Sequence, residues 1–95
     1  MEPLDNALTQ VFNTAIERSP RSTKHLFEKL RDSTHVMNTG TTREQTIAAY
    51  GDYREAMEEI TLRGYKDKAV AYVLRDLKAD IRRTKENFWR SAGPT

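Results

Sequence analysis

From Tyr65 to Arg90 the chain carries apolar or small residues at Val70, Leu74, Leu77, Ile81, Thr84 and Phe88, at alternating steps of four and three. That spacing is the seam of an α-helix that packs lengthwise on another helix, and it leaves a chain of this size few folds besides a helical bundle. One position round the same helix, Lys68, Arg75, Lys78, Arg82 and Lys85 repeat the spacing, with Trp89 at the far end. One side of this helix requires a core, and the neighbouring side is cationic.

A matching seam lies upstream. Tyr50, Tyr53, Met57 and Ile60 follow one another at steps of three and four, with Ala49 and Ala56 small enough to admit a neighbouring helix. This predicts a third helix over residues 42–62 and a fourth over 66–90, paired as a long C-terminal helical hairpin. Leu62-Arg63-Gly64-Tyr65 supplies the turn, with Gly64 as a left-handed residue. The alternative is one unbroken helix from 42 to 90, because the seam reaches Gly64 in register. Gly51 inside the third helix costs about 1 kcal/mol relative to alanine, which implies a close helix contact or a slight bend. The start of this helix is marked by Thr41 and Glu44, spaced as a capping box, after Asn38 and Gly40 close the preceding helix in a left-handed residue.

The N-terminal part repeats the pattern more weakly. Leu4, Leu8, Val11, Phe12, Ala15 and Ile16 form a stripe at helical period behind Pro3, which predicts a first helix over 3–18. Ser19-Pro20 ends it, and the second helix runs over 20–35 through Leu26, Phe27 and Leu30. Residues 91–95 are expected to form a frayed tail. The fold class expected is therefore all-α: one domain of about four helices, completed by dimerisation. Ninety-five residues bury only a modest share of their surface, and a homodimer extends the core.

Composition narrows the function. The chain is 37% hydrophobic and 32% charged, too apolar for disorder, and it has no cysteine, which excludes disulfides, zinc ribbons and thiol catalysis. No apolar run approaches the ~20 residues of a membrane span, and the start Met1-Glu2-Pro3-Leu4-Asp5 lacks the features of a signal peptide, so no membrane partner and a cytoplasmic location are expected. The net charge of +2 is unevenly divided: residues 1–62 hold seven Lys or Arg against ten Asp or Glu, and residues 63–95 hold nine against four. The positive charge belongs to the last third.

Catalytic and metal chemistry find little support. His25 with Glu28 or Asp32 offers two or three metal ligands without a second cluster, and His25 and His35 are ten residues apart. Glu55, Glu58 and Glu59 have no Glu-x-x-His companion and are expected to face solvent or to pair with basic residues of the fourth helix. No nucleophile elbow, Walker loop or dinucleotide fingerprint occurs, and a non-enzymatic protein with no cofactor, no metal and no catalytic residue is expected. On the cationic row only Arg82 has an acid, Glu86, four residues on, while Lys68, Arg75, Lys78 and Lys85 have none three or four residues later. From Lys68 to Lys85 is about 25 Å along a helix, long enough to follow phosphates across a duplex groove. The function expected is sequence-independent contact with the backbone of duplex RNA or DNA by Lys68, Arg75, Lys78, Arg82 and Lys85, with Trp89 as a stacking or anchoring residue. The alternative is a protein-interaction module (a chaperone, inhibitor or assembly adaptor) that docks an acidic protein partner on the seams and on Trp89.

Overall fold

The computed structural model describes residues 3–92. Among them all regular structure is helical: α1 (Leu4–Arg18), a single 3-10 turn (Arg21–Thr23), α2 (Lys24–Thr39), α3 (Arg43–Gly64) and α4 (Lys68–Ala92). Ser91 and Ala92 continue α4 rather than fraying, and the rest of the expected tail, 93–95, lies outside the described residues.

Chain breaks follow local chemistry. Ser19 is extended (φ −73°, ψ 149°), as a residue before proline must be, and its hydroxyl donates to Ile16 O at 3.0 Å. Lys24 Nζ donates to Ile16 O (2.6 Å) and Glu17 O (3.2 Å), so a cation satisfies carbonyls that the end of α1 leaves open. Because the chain first makes the 3-10 turn, α2 begins at residue 24 rather than 20, and it runs on to Thr39, beyond the expected end at 35.

Three boundary expectations are corrected. The capping box is made by Thr42 and Gln45, one residue later than Thr41 and Glu44. The Gln45 N–H donates to Thr42 Oγ1 at 3.1 Å, and Gln45 Oε1 accepts from the Thr41 and Thr42 N–H groups at 3.1 and 3.4 Å. Glutamine performs the reciprocal bond as well as glutamate does, so the pattern fits both registers. Gly40 is extended (φ −62°, ψ 140°) rather than left-handed, and a Cβ there would lie 2.6 Å from Val36 O, which is why glycine occupies it. Gly64 is the last residue of α3, and among the described residues no backbone has positive φ. The chain turns at Tyr65–Asp67, and Asp67 Oδ1 then accepts from the Ala69 N–H at 2.9 Å to start α4. A Cβ on Gly64 would meet Ala71 Cα at 3.4 Å, an ordinary van der Waals contact, so the approach of α4 does not by itself require glycine there.

Gly51 has no such reason, because nothing lies within 4 Å of a Cβ placed on it. The expected helix contact is absent there. Gly51→Ala should therefore stabilise the fold by up to ~1 kcal/mol, read as a higher urea midpoint with an unchanged slope. An unchanged or lower midpoint would mean that α3 needs the flexibility.

Each helix packs on two others: α1 on α2 and α4, and α3 on α2 and α4. Leu8, Phe12 and Ala15 of α1, Leu26, Phe27 and Leu30 of α2, Ala56 and Ile60 of α3, and Val70, Val73, Leu74 and Leu77 of α4 form one buried cluster. On α3, Ala49 and Ala56 are buried small residues, and they lie on the face turned toward its neighbours. Polar contacts tie the end near the α3–α4 connection: Arg18 to Asp76 (2.9 Å) and Arg63 Nη1 to Ser22 O (3.1 Å).

The expected seam residues separate along their length. Ile60, Val70, Leu74 and Leu77 are buried, Tyr53, Met57 and Ile81 pack half-buried on the core, and Phe88 is half-buried, but Tyr50 is 56% exposed. The core is thus closed around the α3–α4 connection and open toward the other end.

Candidate nucleic-acid interface

The cationic row lies on the outside of α4. Lys68, Arg75, Lys78, Arg82, Lys85 and Trp89 are all exposed, and helical geometry gathers them within an arc of about 100°. What they do with their charge differs. Arg75 reaches the adjacent Asp76 (3.4 Å) and lies over the Tyr72 ring, 5.0 Å from its centroid, so it is partly engaged. Helical spacing rules overlook this neighbour because Asp76 is next in sequence. Among the described residues, Lys68, Lys78, Arg82 and Lys85 form no ion pair, and the spacing-allowed contact of Arg82 with Glu86 does not form.

Two of the three acids of α4 are engaged with other arginines: Asp76 turns to Arg18 of α1, and Asp80 pairs with Arg83 at 3.4 Å. The third, Glu86, is exposed on the row's own face, about five helical turns after Lys68. The Arg18 hydrogen bond holds the Asp76 carboxyl below its usual range; desolvation opposes it, and the charges of Arg75 and Arg18 add smaller lowering effects. This contact contributes stability above the pKa of a free aspartate and loses it as pH falls through the lowered value. Unfolding midpoints should therefore drop on acidification, and the part of that drop due to Asp76 should vanish in Asp76→Asn.

Elsewhere cations are neutralised. Lys29 pairs with Glu55 (3.4 Å), Arg54 with Glu58 (3.7 Å) and Arg63 with Glu59 (3.2 Å). The three glutamates are exposed, which is one of the two expected arrangements, and they pair with α2 and with their own helix rather than with α4. No group of three or more potential ligands for a metal occurs among the described residues, and His35 Nδ1 instead meets Asp5 at 2.8 Å. His25 and His35 border the same open cleft between α2 and α3, about 15 Å apart along the helix.

Beside the far end of the row the bundle opens. Tyr50 and Tyr53 of α3, Ile81, Lys85 and Trp89 of α4, and Leu4 of α1 line an opening of about 520 Å³ whose floor reaches Leu8, Phe12, Thr34 and Met37. Trp89 is 62% exposed, and the Phe88 ring meets it edge-on at 5.2 Å. Tyr53 is sunk deeply enough that burial raises its phenol pKa. Thr34 Oγ1 is buried without a hydrogen-bond partner among the described residues, and Thr34 lines this same opening. Periodicity alone does not reveal the opening, because residues of all four helices line it.

No helix among the described residues is long and apolar enough to cross a membrane. No protein-family model matches the chain, and no curated protein or solved structure matches it closely enough to count as similar.

Proposed function

We propose that this is a non-catalytic, cytoplasmic protein that binds the phosphate backbone of duplex RNA or DNA through the outer face of α4, without reading sequence. The observation that carries the proposal is the exposed set Lys68, Lys78, Arg82 and Lys85, which form no ion pair among the described residues while Asp76 and Asp80 engage Arg18, Arg75 and Arg83. Aligned, unneutralised lysine and arginine side chains exchange condensed counterions for protein contacts when they meet phosphates. They discriminate little between bases, since the row holds no Asn or Gln to read base edges.

Anisotropy titration of labelled duplex RNA and DNA tests this. Binding at micromolar protein is expected for both at about 50 mM salt, and no binding there would overturn the proposal. The homodimer and the paired α3–α4 hairpin belong to the same reading. Ile47 and Leu62, exposed on α3 outside the opening, are apolar surface available to a second copy. Light scattering at micromolar concentration should give twice the chain mass, and a monomer mass removes the dimer while leaving the interface intact.

A second reading is favoured by one observation, the apolar opening beside the row: an acidic protein partner could insert a side chain there. It predicts that nucleic acid does not bind at low salt.

A further inference from the structure

We infer that the opening at the end of the row holds an unpaired nucleotide, so that the preferred ligand is a duplex with a single-stranded extension. The inference rests on the proposed function and specifies its ligand.

Two features of the opening converge on a base. Its walls are aromatic: Tyr50 and Trp89 are both more than half exposed, and Tyr53 lies deeper. Rings held beside a cationic track are the platform on which unstacked bases settle, and such stacking tolerates any base because each has a π-face. Lys85 lines the same opening and belongs to the row, so a backbone followed along α4 arrives with a phosphate at its mouth.

An internal base cannot enter, because its pairing edge and both faces are occupied, and a terminal base, though one face is free, is held to its partner across the helix. Only a nucleotide beyond the last pair, or one swung out, is free to enter the opening beside Trp89. The row and the opening therefore divide the ligand: duplex phosphates on Lys68, Lys78 and Arg82, and the first unpaired base between Tyr50 and Trp89, with its phosphate at Lys85.

The test compares a labelled blunt duplex with the same duplex bearing a short single-stranded extension at the 5′ or the 3′ end, at low salt. One extended probe is expected to bind about tenfold more tightly than the blunt one, the size of one base–aromatic stack. Trp89, the single tryptophan, should lose fluorescence on binding that probe and not the blunt duplex. In Tyr50→Ala, a change on α3 and off the row, the preference should fall while blunt-duplex affinity stays within about twofold. Equal affinity for all probes, or unchanged Trp89 emission, overturns this inference and leaves the proposed function standing. Absence of binding to every probe overturns both.

Discussion

Reversing three charges on α4, Lys78→Glu, Arg82→Glu and Lys85→Glu together, is expected to weaken duplex binding by on the order of 100-fold or more at low salt. The side chains are exposed and make no ion pairs among the described residues, so the helical circular dichroism and the melting temperature should change little. The matched control reverses Arg21 and Arg43, which are exposed but lie off α4. Their loss should weaken binding by less than about fivefold, through the change in net charge alone. If the triple variant keeps its affinity, the anion is held elsewhere. If control and triple variant fall equally, the chain responds only to total charge and α4 is no interface.

The second large effect concerns the core. Phe27 and Leu30 of α2 have no exposed surface and belong to the cluster that joins the helices. Phe27→Ala should cost ~3–5 kcal/mol, through lost transfer energy and the cavity left behind. A small domain has roughly 5–15 kcal/mol in total, so the variant should be largely unfolded or melt far below the parent. Leu62→Ala, at a site 60% exposed, should stay within ~0.5 kcal/mol. Urea unfolding of the two variants checks this pair. Similar midpoints would mean that α2 does not hold the centre of the bundle.

The elements could be read where periodicity and turn chemistry agree. The stripe from Val70 to Phe88 predicts the course of α4, and Ser19-Pro20 predicts the break after α1, because proline excludes the helical conformation from the residue before it. The reading was weaker where two adjacent registers satisfy the same chemistry. Thr41 with Glu44 and Thr42 with Gln45 both suit a capping box, and only the backbone geometry selects the second. Gly64 between two seams suggests a left-handed turn, but the residue stays helical and the chain turns after it, a choice that residue type alone does not fix.

The stripe of α4 also omitted Val73, which is buried. A helix that contacts both α1 and α3 needs a wider apolar face than a two-helix seam. The cationic residues were individually visible, but not how their charge is spent. Asp76 is next to Arg75 in sequence, yet it also joins Arg18, which lies far away in the chain. The opening beside Trp89 is a tertiary feature lined by all four helices, and no local pattern encodes it.

The measurement closest to the central claim is the dependence of duplex affinity on salt. If Lys68, Lys78, Arg82 and Lys85 each neutralise a phosphate, the logarithm of the binding constant should fall against the logarithm of salt concentration with a slope of about −3 to −4. The triple charge-reversal variant should flatten it. A slope shallower than about −1 in the unaltered protein would contradict the account, since binding would then not be carried by phosphate contacts along α4.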